Sequence, residues 1–438
     1  MSIKATVELI TEEIEDKIIN DIVVKKKEKK NYGMSKFKSK IEECVRPYRS
    51  TDDAIYLPFK WALDNLPNIK RKERSDCSPI DCKFILELRD VQREVKGDCI
   101  KALNRFWCHL ISLYPGCGKT FLSIYLACKY SLKTLIIAHR VVLFEQWVEA
   151  IEEATGGLAT FSVLKPDCKK NNFEANFLIV NAQNIKKFKP GTFDQVGFVI
   201  IDEVHAIMAE LLSECLQFVS PRYLVGLSAT LYRPDGLDGL LDFYFGKDNK
   251  TVRELYHPHI VYKINTSIEY EEDSKTQWSS LLTTQCTNTD RNDFVIKIVQ
   301  QFKERHFLLL CQRVEQVSYI LKKFEEVGES ATGVEKGKFD KNARIIVAGF
   351  QKVGFGFSHK ILDTLMFVAD IISSDTSEYM VQYMARVMRT PDVKPIIFDI
   401  VDNHKTLKGH FNIRKIEYVK AGGTVIDFYK HFPLFDRI

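Results

Sequence analysis

From about residue 84 the chain alternates between short, largely apolar runs and longer stretches with helical periodicity. The runs 109–113, 134–138, 176–180, 196–201 and 223–227 show no regular polar alternation, the pattern of strands buried on both faces. Stretches such as 141–154 and 206–218 read as helices between them. Strands alternating with helices predict a parallel sheet covered on both sides. The rhythm pauses between 246 and 275, where 246–250 and 269–273 are polar. It resumes with runs at 306–311, 344–348, 361–369 and 395–400. The pattern predicts an α/β chain with one parallel-sheet domain over 84–250, a linker over 251–290 and a second such domain over 291–438.

Residues 1–83 read differently, as a small N-terminal accessory module. Lysine-rich runs at 25–30 and 36–40 precede an apolar island at 55–63, and a basic patch follows at 70–74. Such runs read first as solvated surface and second as a targeting signal; the module's runs at 25–30 and 70–74 are also expected to add grip on duplex nucleic acid. The island predicts a segment that folds onto something else.

Composition narrows the class. With 45% hydrophobic and 28% charged residues, the chain is ordinary globular protein. A formal charge of +5 permits nucleic-acid binding without requiring it. The 11 cysteines are scattered with no CxxC pair, which argues against a zinc ribbon or iron–sulfur cluster and for a reducing compartment. No secretory signal and no charge-free apolar run of about 18 residues occurs. A soluble intracellular protein without a membrane partner is expected.

The chemistry begins after the run 109–113. Gly116, Cys117, Gly118, Lys119 and Thr120 form a glycine-rich turn that opens into an amphipathic stretch. A strand, such a turn and a helix build a phosphate cradle. The glycines let backbone N–H groups point at a polyphosphate, Lys119 reaches its outer oxygens, and the Thr120 hydroxyl holds Mg²⁺. Asp202 and Glu203 follow the run 196–201, at the sheet end where ligands bind. Asp202 is expected to bind Mg²⁺, and Glu203 to position and deprotonate an attacking water. Ser228 and Thr230 follow the next run. Gln382, Arg386 and Arg389 fall at helical spacing on one face, either as a solvated basic face or as guanidinium groups that stabilise a transferring phosphoryl group.

Taken in order from Leu88 to Arg389, these elements resemble a superfamily 2 helicase. Leu88–Gln92 looks like the adenine-side glutamine element, which implies a cofactor contact for Gln92. Residues 134–147 look like motif Ia, and Asp202–His205 and Ser228–Thr230 like motifs II and III. Residues 307–313, 347–358 and 382–389 look like motifs IV, V and VI. Leu113 where glycine is usual, Gln146-Trp147, residues 226–236 and Val353-Gly-Phe-Gly-Phe357 resemble the XPB-like branch. Within that branch the likeness is to helicases of large nucleocytoplasmic DNA viruses, including iridovirus relatives and the poxvirus transcript-release helicase. Two departures stand out: motif V usually ends Gly-x-Asp where this chain has Gly356 and Ser358, and motif VI has Ala385 for glycine. Ser358 bears on how hydrolysis couples to strand movement.

The resemblance implies two RecA-like domains in tandem, ATP and Mg²⁺ as cofactors, and a nucleic-acid-stimulated ATPase. Ser228, Thr230, Gly356 and Ser358 would couple hydrolysis to movement. His139, Arg140, Asn181, Gln183 and Arg313 would contact the sugar–phosphate path, while Tyr232 and Phe357 read as core aromatics before base-stacking ones. Arg386 and Arg389 would complete the ATP site from the second domain. A DNA helicase or translocase is expected, acting on single-stranded or duplex DNA in viral transcription, replication or repair, in host cytoplasm or virion, with proteins of those processes as partners. An RNA helicase, and a non-catalytic nucleic-acid-binding scaffold, remain the alternatives.

Overall fold

A computed structural model describes residues 1–25, 44–208, 214–229, 236–237, 239–270, 278–335, 338–353, 357, 359–371, 376–389 and 393–438. The chain divides into two compact units, one holding Met1–Leu113 and Cys117–Arg253, the other Tyr114–Gly116 and Glu254–Ile438. Among the described residues no helix is long and apolar enough to cross a membrane.

The N-terminal residues form a wall of the first unit. Strands β1 (Ser2–Thr6), β4 (Arg49–Ser50) and β5 (Ala54–Pro58) make an antiparallel sheet in the order β1-β5-β4, and β2 (Val24–Lys25) pairs with β3 (Cys44–Val45). Helices α1 (Glu12–Asp21) and α2 (Phe59–Asn65) flank them. The apolar island is β5 running into α2. Its Leu57, Phe59, Trp61 and Ala62 share one buried cluster with Cys108, Leu110, Tyr244 and Phe245. Ser2 N–H donates to the Val219 carbonyl at 3.0 Å and Ser2 Oγ to that of Leu216 at 3.1 Å, which ties down the chain start.

Within the basic patch at 70–74, Arg71 and Lys72 are only half-exposed and depart from the reading as solvated surface. Lys72 Nζ donates to the carbonyls of Asp194 and Val196, the latter at 3.0 Å. The Arg71 guanidinium sits 4.4 Å from the centre of the Trp107 ring, and Arg74 donates to the Tyr130 carbonyl at 3.1 Å. Carbonyls just ahead of a strand lack sheet partners and need donors, so these cations strap the unit together. The runs at 26–30 and 36–40 lie outside the described residues.

The first unit's main sheet contains β6 (Cys108–Leu113), β7 (Thr134–Ala138), β8 (Phe161–Leu164), β9 (Phe177–Asn181), β10 (Phe198–Ile201), β11 (Tyr223–Ser228) and β12 (Lys250–Arg253). All are parallel, in the order β12-β6-β11-β10-β7-β9-β8. Helices α3 (Asp90–Phe106), α4 (Lys119–Tyr130), α5 (Val142–Thr155) and α6 (Val204–Ile207) accompany it. The chain runs from β6 to β7 across the places later filled by β11 and β10. That crossing gathers the loops after β6, β7, β10 and β11 at one sheet end. Helix α5 earns its position by pattern: Leu143, Phe144, Trp147, Ala150, Ile151 and Ala154 are all buried, an apolar stripe of helical period. Gly156, at φ 63, ends it. The helix expected over 206–218 is instead the short α6 and a 3₁₀ segment, Glu214–Phe218, with 209–213 outside the described residues.

The second unit carries β13 (His259–Asn265), β14 (Phe307–Cys311), β15 (Ala331–Gly333), β16 (Ile345–Gly349), β17 (Thr364–Phe367), β18 (Ile396–Val401) and β19 (Gly423–Asp427). This sheet is also all parallel, ordered β15-β16-β14-β17-β18-β13-β19. Leu308, Leu310, Ile346 and Leu365 enter one apolar cluster, while Phe307, Leu309, Ile345 and Met366 enter the other. Alternate side chains thus fill both faces. The expected linker over 251–290 holds most of β12, all of β13 and the helix Trp278–Thr287. Polar residues interrupt both strands, β12 being largely exposed and β13 half-buried in places, so neither reads as a continuous apolar run.

Candidate active site

The turn between β6 and α4 has the backbone that a phosphate cradle requires. Gly116 and Gly118 both adopt φ 88, a left-handed conformation that other residues reach only with strain. A Cβ on Gly118 would lie 2.2 Å from Gln92 Nε2, so this position excludes a side chain for a second reason. Lys119 curls back and donates to the Leu113 carbonyl at 2.8 Å. Thr120 stands half-buried in the first turn of α4, whose N-terminal dipole favours anions. Cys117 is buried, and burial pushes its thiol up, away from reactivity.

Gln92, in the first turn of α3, is 2% exposed. Its Nε2 donates to the Gly118 carbonyl at 2.8 Å, and its Oε1 accepts from Arg89 N–H at 2.7 Å. The side chain therefore braces the phosphate turn from the neighbouring helix.

Two strands away, β10 delivers Asp202 and Glu203. Asp202 N–H continues the sheet by donating to the Ile137 carbonyl at 2.8 Å. Its carboxylate is held at both oxygens: Glu203 N–H donates to Oδ1 at 3.0 Å, and Trp147 Nε1–H to Oδ2 at 2.8 Å. Burial, reinforced by the Glu203 charge, pushes the Asp202 carboxyl up to about 6, while the indole N–H and the Lys119 ammonium pull it back. Lys119 is thus near enough to act electrostatically on Asp202. Glu203 adopts φ 45 and ψ 55, a strained conformation of the kind stored at functional positions. Its Oε2 is buried and has no hydrogen-bond partner among the described residues; His205 Nδ1 stands 3.5 Å away. That same ring nitrogen lies 2.8 Å from Ser228 Oγ at the end of β11.

His139 and Arg140 leave β7, and Asn181 and Gln183 leave β9, its neighbour, with Ala138 and Asn181 in register. Asn181 spans the two loops: its Nδ2 donates to the His139 carbonyl at 3.3 Å, and its Oδ1 accepts from Gln183 N–H at 2.9 Å. His139 is held down to about 4, by burial first and then by Arg140 and His205. The sheet gathers these four residues on adjoining strand ends, whereas Arg313 follows β14 in the second unit.

In that second unit the helix Thr376–Val387 carries Gln382 and Arg386 on a buried face, 3% and 8% exposed. The solvated-face reading fails for these two: Arg386 donates to the Phe357 carbonyl, within the unit. Arg389 lies past the helix end and donates through Nε to the Ala385 carbonyl at 3.3 Å. Phe357 is 4% exposed and packs against Phe339 at 5.0 Å, a core aromatic. Thr230, Tyr232, Gly356 and Ser358 lie outside the described residues.

Three contacts lie beyond local sequence pattern: the bond from Gln92 to the Gly118 carbonyl, the His205–Ser228 pair and the bond from the Trp147 indole to Asp202. Each joins segments that local pattern reads separately.

Comparison with known proteins follows the same lines. The family model described as "Type III restriction enzyme, res subunit" (ResIII) matches residues 85–233. The chain is 37% identical over 410 residues to "Putative helicase 161L" of Invertebrate iridescent virus 6, spanning 87% of this chain and 91% of that protein. It is 25% identical over 451 residues to "Putative ATP-dependent RNA helicase L396" of Acanthamoeba polyphaga mimivirus, spanning 96% and 84%. In fold it is similar to S. cerevisiae Dbp5 bound to RNA and ADP BeF3, with a TM-score of 0.57 at 11% identity over 78% of this chain and 91% of that one. The two seven-stranded sheets are RecA-like domains in tandem, and the chain belongs to the viral superfamily 2 helicases that carry the ResIII domain, alongside those of iridoviruses.

Proposed function

We propose that this helicase is a nucleic-acid-stimulated ATPase that moves along DNA, single-stranded or duplex, in viral transcription, replication or repair. The observation that carries the catalytic reading is the placement of Lys119, Asp202 and the buried Glu203 Oε2, which accepts no hydrogen bond among the described residues, at one sheet end. Lys119, released from the Leu113 carbonyl, clamps the phosphates of ATP. Glu203 orients a water and takes its proton as the water oxygen bonds to the terminal phosphorus and the bond to the ADP oxygen breaks. Arg386 and Arg389 supply positive charge to the phosphoryl group.

Thr120 and Asp202 would hold Mg²⁺. The donor set suits it, because Mg²⁺ takes few protein ligands and keeps waters and phosphate oxygens for the rest. When bound, the ion neutralises charge on the phosphates.

The DNA assignment rests on Gln146-Trp147 and the likeness to the XPB-like branch and the poxvirus transcript-release helicase. His139, Arg140, Asn181, Gln183 and Arg313 would form a sugar–phosphate path that binds without reading sequence. RNA is the second reading, favoured by the mimivirus relative's name and by the RNA in the Dbp5 structure. ATPase assays with single-stranded DNA, duplex DNA and RNA separate the two. Greater stimulation by DNA is expected, and stimulation by RNA alone refutes the DNA reading. Glu203→Gln should lower turnover by ~10²–10⁴ while ATP still binds; near wild-type turnover would refute Glu203 as the base.

A further inference from the structure

Helix α5 begins two residues after Arg140 and carries Trp147 in its second turn. The indole is 1% exposed, fully inside the first unit, yet its one polar atom is not idle. It donates to Asp202 Oδ2 at 2.8 Å across 55 residues of sequence. A buried indole N–H needs an acceptor, and many acceptors exist in a protein interior. Here it takes the carboxylate oxygen of the residue proposed to hold Mg²⁺. The other oxygen is already held by Glu203 N–H at 3.0 Å, so the carboxylate plane is set by two donors from two different elements.

We infer that Trp147 is a positioning residue for Asp202: its indole N–H fixes the carboxylate in the orientation that receives the divalent cation. The inference rests on the nucleotide reading of the site. Groups that orient metal-binding side chains contribute to affinity although they never touch the metal. A tryptophan serves better than a flexible donor, because its ring is locked by the apolar stripe of α5 and loses no further freedom when the ion binds. The same hydrogen bond makes a physical link from the proposed sugar–phosphate contacts at the start of α5 to the catalytic end of β10.

The experiment measures Mn²⁺ binding with ADP by electron paramagnetic resonance of the free ion, on full-length protein. Trp147→Phe keeps an aromatic ring and removes the donor. A second form carries the benzothienyl analogue of tryptophan at 147, which replaces only N–H by sulfur and preserves packing. Ile151→Val, on the same buried stripe, is the packing control. The expected result is an Mn²⁺ dissociation constant raised about tenfold in both position-147 forms, with Ile151→Val lowering thermal stability alone. Unchanged Mn²⁺ affinity in the benzothienyl form overturns the inference. Absence of Mn²⁺–ADP binding by the wild type overturns the nucleotide reading itself, and this inference with it.

Discussion

Asp202→Asn removes a carboxylate that the metal-free fold holds at a cost. The side chain sits between the Glu203 charge and a low-dielectric interior, and its carboxyl is raised from the usual 3.8 to about 6. Between those pH values the native state keeps a proton that the unfolded chain has released. Stability from this group is therefore fully present below about 3.8 and is lost as pH rises through about 6. The gap corresponds to about 3 kcal/mol at most, because the side chain keeps some contact with solvent. Asparagine abolishes this dependence but turns an NH₂ group toward one of two donors, Glu203 N–H or Trp147 Nε1–H. Losing that hydrogen bond costs ~1–2 kcal/mol. The variant should thus be less stable than wild type near pH 4 and equal to it or up to about 2 kcal/mol more stable at pH 7, while hydrolysing no ATP. Urea denaturation with EDTA and without nucleotide, at intervals from pH 4 to 7.5, gives the stability difference directly. A difference that stays constant across that range would refute a raised Asp202 carboxyl. A difference that moves against the variant as pH rises would mean the native state stabilises the ionised form.

Other consequences follow from the same geometry. Gly118→Ala should destabilise the first unit by about 2–3 kcal/mol, from left-handed strain plus the displaced Gln92 hydrogen bond. Gly157→Ala, at φ 74 with open space around the new Cβ, should show the strain alone, and equal losses for the two would dismiss the bracing role of Gln92. Lys72→Ala should cost about 2 kcal/mol, through two charged hydrogen bonds to carbonyls, and leave the salt dependence of nucleic-acid binding unchanged. A salt slope reduced by about one, with stability intact, would return the patch at 70–74 to nucleic-acid contact.

Much of this architecture is legible in the chain because burial on both faces writes itself locally. The runs behind β6, β7, β9, β10, β11, β14, β16 and β18 are apolar regardless of what covers them, so their place in a parallel sheet needs no partner to be read. The phosphate turn is legible for a similar reason: only glycine tolerates φ 88, and the turn's chemistry lies within five consecutive residues. Where exposure interrupts the apolar run, local pattern fails. Strands β12 and β13 were hidden inside an expected linker, and a helix expected over 206–218 shrank to α6 and a 3₁₀ segment. Charge misleads in the same way. Lys72 looks like surface until tertiary structure supplies the Asp194 and Val196 carbonyls, more than 100 residues away. The candidate site divides along this line as well. Residue types and their order announce Lys119, Asp202 and Glu203. The sequence has no means of saying that Gln92 braces Gly118, that His205 meets Ser228, or that Trp147 holds Asp202, since hydrogen bonds between distant segments depend on where the sheet sets them down.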